Sequence, residues 1–209
     1  RNNALFDIAK KYNLFYVEHK DYIGGRYSVL SEVGILPAYL MGINIFSLRK
    51  NFEKFFLSIK KKKNFLKEST IQIANIMYQK KLNSLIFLNY SPKLEKFLYW
   101  CQQLIAESLG KKGNGFMPVI SPVPKDHHSV LQLYLDGPKD KLFHIFSLEE
   151  NTKKKINIKK VSKHTNYLHN KDLFEIRNAQ KEALIKTLKK NKIPFRELKI
   201  KKCDEETLG

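Results

Sequence analysis

Cysteine is scarce in this chain of 209 residues, which contains only Cys101 and Cys203. Two cysteines provide no disulfide framework, and their scarcity fits a reducing compartment. Cys101 falls inside an apolar helical pattern and is predicted to be a buried core thiol. The chain also lacks a run of roughly 18 apolar residues and a signal-peptide pattern, so neither a membrane span nor secretion is expected. These absences predict a cytoplasmic protein with no membrane partner.

Acidic residues are also in short supply, since 39 Lys and Arg outnumber 20 Asp and Glu and give a formal net charge of +19. A basic balance suits nucleic acid, an anionic membrane surface or a phosphorylated small substrate. The lysine runs are scattered along the chain and are interpreted as solvated loops and helix faces. A nucleic-acid binder needs exposed aromatic side chains among its basic residues. Here the 14 Phe and 10 Tyr fall at core spacing, so no nucleic-acid partner is expected.

Apolar runs alternate with helical patterns in the second half of the chain. Strands are predicted over residues 85–88, 117–120, 142–148 and 195–200. This alternation predicts an α/β fold in which a parallel sheet lies between helices on both faces, joined by right-handed crossovers. Ligands of such folds bind beyond the carboxyl ends of the strands.

Three helices are predicted between these strands. The first starts at Ser91 and Pro92, with the serine oxygen as its cap, and stops at Gly110. Asp126 is predicted to cap a second helix that runs to about residue 135, and Asn170 to begin the third.

The first half of the chain is predicted to be a mostly helical arm. A helix ends near residue 10, and residues 14–17 form a short strand because of their β-rich composition. Two further helical patterns cover residues 46–81, separated by residues 60–64.

Gly24, Gly25 and Arg26 form the first candidate site. Paired glycines permit positive φ and let the backbone approach a ligand closely. Arg26 supplies a permanent cation with fork-shaped donors, suited to a phosphate or a developing oxyanion. The glycine pattern is neither the Walker type nor the dinucleotide-binding type. A tight turn with a surface arginine is the alternative interpretation.

Gln103 and Glu107 form the second candidate site. They lie four residues apart and therefore share one face of a helix. Glu107 is also near the helix C-terminus, where the helix dipole disfavours a carboxylate and so favours a role as a base. The alternative is an ordinary solvated glutamate.

His127 and His128 form the third candidate site, at the start of a helix that follows a strand. A histidine can move protons near neutral pH. Adjacent helical residues point about 100° apart, so both rings cannot readily bind one metal ion, and no metal is expected. A surface helix with two histidines is the alternative. The remaining histidines are interpreted as structural: His19, His144, His164 and His169.

Together these residue types suit one reaction. Moving a carbonyl from C1 to C2 of a sugar requires a base, such as Glu107, that takes the C2 proton and returns it to C1. The enediolate between the two transfers needs a fixed cation, which Arg26 could be. A histidine can handle the protons of ring opening.

Three segments of the chain resemble signatures of the phosphoglucose isomerase family. They are DYIGGRYSVLSEVG at residues 21–34, QQLIAES at residues 102–108 followed by GNG at residues 113–115, and DHHSVLQLYLDGP at residues 126–138. They occur in the family's order, and three ordered motifs are far more specific than one. Glu32 stands where the family usually has a small residue. His127 stands where the family more often has Gln, so His128 matches the catalytic histidine.

The resemblance implies a role for each candidate residue. Glu107 would be the base that shuttles the proton, Arg26 would steady the enediolate, and His128 would assist ring opening. Gly25 and Gln103 match positions that touch the substrate, glucose 6-phosphate or fructose 6-phosphate. In the family the histidine reaches the site from the neighbouring subunit. The resemblance therefore implies a homodimer, with no metal or organic cofactor.

The resemblance also implies a division of the chain. Residues 1–80 would be the end of a first sugar-isomerase domain with connecting helices, and residues 81–209 a second such domain, truncated at its C-terminus. The family's phosphate-gripping Ser/Thr-rich loop and its C-terminal segment with a catalytic lysine have no counterpart in the sequence. We therefore expect little activity from these residues alone, and an exposed apolar surface where the missing parts pack.

Two other functions remain open at this point. One is a relative that also accepts mannose phosphate. The other is a non-catalytic sugar-phosphate-binding module of the same fold, which would keep Gly25 and Arg26 but has no reason to keep Glu107 together with His128.

Overall fold

A four-stranded parallel sheet forms the centre of the computed structural model, which describes residues 3–60, 65–79, 81–149, 155–157 and 163–209. Its strands are β1 (Ser84–Asn89), β2 (Met117–Pro122), β3 (Lys141–Leu148) and β4 (Phe195–Ile200), in the order β2-β1-β3-β4. All three strand pairs are parallel. The four strands predicted for the second half of the chain are confirmed.

The described residues also form ten α-helices. They are α1 (Ala4–Lys11), α2 (Glu32–Leu40), α3 (Ile45–Arg49), α4 (Phe52–Lys60), α5 (Phe65–Gln79), α6 (Glu95–Leu109), α7 (Lys125–Ser129), α8 (Leu131–Asp136), α9 (Leu173–Lys190) and α10 (Glu205–Leu208). Helix α10 packs against α3, and Lys50 Nζ lies 2.8 Å from a carboxylate oxygen of Glu206.

Helices cover both faces of the sheet because successive side chains of a strand point to opposite sides. Ile86 and Leu88 of β1 belong to one apolar cluster, which includes Leu184 of α9 and Tyr134 of α8. The alternate strand residues, such as Phe87, belong to the other. That second cluster includes side chains from α5 and α6. The predicted arrangement of helices on both faces of a parallel sheet is therefore confirmed.

The prediction of a strand over residues 14–17 is wrong. These residues are exposed and form no strand. Tyr16 instead makes an edge-to-face contact with Phe6. β-rich composition alone does not make a strand, because a strand needs a neighbour to satisfy its backbone groups.

Helix boundaries differ from the predictions at several points. Asp126 does not cap a helix that runs to residue 135. Pro124 is the residue before α7, and Val130 interrupts the helical conformation between α7 and α8. Ser91 precedes the turn at Pro92 but makes no capping hydrogen bond through its side chain. The third helix is capped by Asp172 rather than begun by Asn170.

In the arm, residues 45–60 form two helices, α3 and α4, where the pattern from residue 46 to residue 60 predicted one. Most of the predicted separation at residues 60–64 lies outside the described residues.

Aromatic side chains occupy core positions in the sheet but not throughout the arm. Phe87 and Phe143 are fully buried, whereas Phe15, Tyr22 and Phe46 are almost fully exposed. The core spacing inferred for the aromatics is therefore wrong for much of the arm. An exposed apolar surface was expected, and the arm carries one.

Candidate active site

Arg26 of the arm meets Glu107 near the end of α6. The Arg26 Nε atom lies 3.8 Å from the Oε2 atom of Glu107. One residue further along each segment, the hydroxyls of Tyr27 and Ser108 are 3.0 Å apart. These two contacts dock the glycine turn against the C-terminal end of α6, so the first two candidate sites form one site.

The glycine turn is a 3-10 helix (Gly25–Leu30) held by its own serines. The Ser28 hydroxyl donates to the carbonyl of Gly25, and the Ser31 hydroxyl donates to the carbonyl of Ser28, each at 2.7 Å. The turn then packs so tightly on α2 that a Cβ at Gly34 would overlap the backbone oxygen of Val29. The serines and Gly34 therefore fix the backbone that carries Arg26.

Gly24 and Gly25 do not use the left-handed region that their pairing allows. Gly24 has φ −66° and ψ 146°, an extended conformation, and neither glycine has positive φ. A Cβ at Gly25 would meet no atom within 4 Å. The backbone at Gly25 therefore faces open space, which leaves room for the close approach of a ligand.

Glu107 is held through both of its carboxylate oxygens. Gln103 Nε2 donates to its Oε1 at 2.9 Å, and Arg26 lies beside its Oε2. The side chain of Glu107 is nevertheless 53% exposed. Its carboxylate is therefore oriented by two neighbours and still open to a substrate.

Helix α6 itself is tied to the sheet by a residue that the sequence did not single out. Gln102 Nε2 donates to the carbonyl of Pro118 in β2 at 2.8 Å. No motif predicts this bond, although Gln102 lies within the segment that resembles the family.

Cys101, on the same helix, is half-buried rather than fully buried, and burial raises the pKa of its thiol to about 11.

His128 and Glu107 lie at opposite ends of the strands of the sheet. Helix α6 joins the carboxyl end of β1 to the amino end of β2, so Glu107, near its last turn, is at the amino edge. His128 is in α7, which directly follows the carboxyl end of β2, and its side chain is exposed. A six-residue strand separates the two edges by roughly 20 Å. The structure thus brings Arg26, Gln103 and Glu107 together but leaves His128 apart from them.

The position of Glu107 departs from the expectation that ligands bind beyond the carboxyl ends of the strands. The candidate base is instead at the amino edge, where the arm provides the facing Arg26. The sequence contained the signal for this, because a helix that follows a parallel strand must return the chain to the amino edge.

His127 points toward the sheet, unlike its neighbour. Its Nε2 atom is 2.9 Å from the hydroxyl of Tyr90, which follows β1. Burial lowers the pKa of His127, and the charge of Asp126 opposes this shift. Burial raises the pKa of Tyr90.

No helix in the described ranges combines the length and the apolar character needed to cross a membrane. Within the same part of the chain, no three histidine, cysteine or carboxylate side chains gather in a group that could hold a metal ion.

Comparison with known proteins identifies relatives along nearly the whole chain. The sequence pattern of the phosphoglucose isomerase family matches residues 6–200. The chain is 32% identical to a probable glucose-6-phosphate isomerase of Methanococcus maripaludis, over 97% of this chain and 46% of that protein. It is also 32% identical to the glucose-6-phosphate isomerase of Mycoplasmopsis synoviae, over 100% of this chain and 50% of that protein.

A solved structure shares the fold of the whole chain. The crystal structure of a hypothetical protein from Thermus thermophilus superposes on the whole of this chain and on 51% of its own, with a TM-score of 0.82 and 27% sequence identity. The chain spans about half the length of the curated relatives it matches. Its sheet flanked by helices is the sugar-isomerase type of α/β fold. On these sequence matches, the chain belongs to the phosphoglucose isomerase family.

Proposed function

We propose that the full-length protein is a glucose-6-phosphate isomerase that interconverts glucose 6-phosphate and fructose 6-phosphate in glycolysis and gluconeogenesis. The observation that carries the proposal is the meeting of Arg26, Gln103 and Glu107 at one exposed place. A carboxylate, a permanent cation and an amide are the groups that an aldose–ketose proton shuttle requires.

In this proposal Glu107 takes the proton from C2 of the open-chain sugar and returns it to C1, while the hydroxyl proton of O2 passes to O1. Removal of the proton places negative charge on the substrate oxygens as an enediolate forms. Arg26 remains protonated at any physiological pH and stabilises that charge. Gln103 holds one oxygen of Glu107, so the carboxylate keeps its orientation while the proton moves. The space at Gly25 admits the substrate.

We further infer that His128 acts on the ring-opening step at the site of a partner subunit. Within one chain, the sheet separates His128 from Glu107, so an intact site needs the histidine of a second copy. The active protein is accordingly a homodimer. The reaction as proposed uses a base, a cation and a proton donor from the protein itself, and therefore calls for no cofactor.

The division of the chain is part of the same proposal. Residues 1–80 end a first sugar-isomerase domain and its connecting helices, and residues 81–209 belong to a second. The free thiols of Cys101 and Cys203 suit a reducing compartment, and we place the protein in the cytoplasm.

The test is the replacement Glu107→Gln in the full-length protein, because this change keeps the shape of the side chain and removes the base. Conversion of fructose 6-phosphate to glucose 6-phosphate is expected to fall by roughly 10²- to 10⁴-fold. The matched control is Glu95→Gln, which changes an exposed glutamate in the first turn of the same helix and should leave the rate unchanged.

Two results would contradict the proposal. A full-length protein that binds sugar phosphate but turns none over would be a binding module. An active Glu107→Gln protein would place the base on another residue.

A further inference from the structure

We propose that Tyr90, Ser121, Asp126 and His127 position His128, because they tie α7 to the carboxyl edge of the sheet. This inference rests on the proposed function, in which His128 assists ring opening. It assigns a role to His127 and to three residues that do not touch the candidate site.

Helix α7 cannot hold its own conformation. It has five residues, and Pro124 before it provides no side-chain cap. Helices this short are unstable in isolation, since nucleation costs more than a single turn returns. The orientation of any side chain on α7 therefore depends on contacts with the rest of the molecule.

The first such contact joins His127 to Tyr90. The Tyr90 side chain is only 3% exposed and belongs to the apolar cluster on the α9 side of the sheet. Its backbone N–H donates to the carbonyl of Phe146 in β3 at 2.9 Å. Its hydroxyl is 2.9 Å from His127 Nε2, and the two rings meet edge to face at 5.7 Å. His127 is thus fixed to a rigid part of the core.

The protonation states of this pair suit a single, directed hydrogen bond. Burial raises the pKa of Tyr90 and lowers that of His127. Near neutral pH both groups are therefore uncharged, and one hydrogen bond joins the tyrosine hydroxyl to His127 Nε2.

The second contact joins Asp126 to Ser121. Ser121 is fully buried in β2, and its hydroxyl donates to Asp126 Oδ2 at 2.7 Å. Asp126 and His127 are consecutive residues of α7. Asp126 binds a residue of β2, whereas His127 binds the residue that follows β1. Two consecutive ties fix the rotation of the helix as well as its position.

His128 is the next residue, and its direction follows from these ties. Successive helical residues are about 100° apart, so side chains at 126 and 127 that bind the sheet turn residue 128 outward. His128 is exposed accordingly. A histidine that serves a second subunit must project from the surface in a defined direction, and the ties at Asp126 and His127 supply that direction.

The experiment uses the full-length enzyme with changes at the tie to Tyr90. Tyr90→Phe removes one oxygen and keeps the ring in the core. His127→Leu removes the partner nitrogen, whereas His127→Gln keeps a side chain that can bond to the hydroxyl. We expect Tyr90→Phe and His127→Leu to lower kcat by up to roughly a hundredfold, the cost of misplacing a reacting group by about 1 Å, with KM nearly unchanged. His127→Gln should retain most of the activity, and the double variant Tyr90→Phe/His127→Leu should be no slower than either single variant.

A second series in a His128→Ala background separates positioning from general structure. If the tie acts through His128, adding Tyr90→Phe to His128→Ala costs no further activity. If Tyr90→Phe lowers kcat as much in that background as in the wild type, the tie is only structural and the inference is overturned. An unchanged kcat for Tyr90→Phe alone overturns it as well. Full activity of His128→Ala would instead refute the proposed role of His128 itself, a failure that is visible without any change at Tyr90.

Discussion

Glu107 and His128 lie at opposite ends of the parallel strands of one sheet. Glu107 is at the amino ends, near the end of the helix that follows β1, and His128 is at the carboxyl ends, just after β2. Parallel pairing of β1 with β2 forces this separation, because the intervening helix must cross the full length of the strands. In the proposed function, both residues therefore act on one substrate through the pairing of two copies of the chain.

This separation predicts the behaviour of mixed dimers of the full-length protein. Subunits with Glu107→Gln and subunits with His128→Ala should each form homodimers of low activity. A mixed dimer has one site with the intact glutamate of one subunit and the intact histidine of the other. Purified mixed dimers, carrying a different tag on each subunit, should therefore recover up to half of the wild-type activity in the isomerase assay.

The matched control is a mixed dimer in which one subunit carries both changes and the other carries none. If the sites are shared, each site of this dimer has one defect and activity stays low. The opposite pattern, with the control half-active and the complementing pair inactive, would mean that both residues serve one subunit.

The sheet and its long helices could be predicted from the sequence because local signals agree there. β1 is an apolar run, and α6 has Pro92 near its start and Gly110 at its end. Residues 14–17 have an equally β-rich composition, yet they form no strand. A β-rich composition indicates a preference for extended backbone. A strand also needs a neighbouring strand to pair with, and the sequence does not show which segments lie side by side.

The candidate site could be predicted only in part, for a related reason. Arg26 and Glu107 were singled out by residue type and by resemblance, and the structure brings them together. The ties of Tyr90 to His127 and of Ser121 to Asp126 have no sequence pattern, since they depend on which strand ends lie side by side. Paired glycines permit positive φ, but neither Gly24 nor Gly25 adopts it in the structure.

Lys181 and Lys199 provide a stability prediction because both approach the same carboxylate oxygen. Lys181 Nζ lies 2.8 Å from Glu197 Oε1 with its side chain 5% exposed. Lys199 Nζ lies 3.6 Å from that atom with its side chain 54% exposed. Without Lys181, the carboxylate of Glu197 keeps only the more distant Lys199. Lys181→Met should therefore destabilise the sheet domain by roughly 2 kcal/mol, the typical contribution of a hydrogen bond to a charged group.

The matched variant Lys199→Met removes the same charge at an exposed position and should cost less than about 1 kcal/mol. Amide hydrogen exchange of β3 and β4 peptides in the full-length protein would measure both effects. Equal loss of protection in the two variants would show that burial does not decide the strength of this ion pair.

His144 provides a prediction of pH dependence. It lies in β3 opposite Arg196 of β4 and stacks on Phe87, and its Nε2 atom is buried without a hydrogen-bond partner in the described part of the chain. Burial, and secondarily the charge of Arg196, lowers the pKa of His144 from 6.5 to about 4. Between these two pH values, His144 is therefore protonated in the unfolded chain and neutral in the folded chain.

Stability from this group is full above pH 6.5 and is lost as pH falls toward 4, by roughly 3 kcal/mol in total. His144→Phe keeps an aromatic ring beside Phe87 and cannot be protonated, so its unfolding free energy should lack this decline. Other groups with shifted pKa values, such as His127, are present in both proteins and cancel in the difference between them. Arg196→Gln removes the secondary cause, and its decline should begin at the same pH and be shallower than that of the wild type. Urea unfolding of the three proteins between pH 4 and 7.5 would measure these curves. Parallel curves for the wild type and His144→Phe would mean that folding does not lower the pKa of His144.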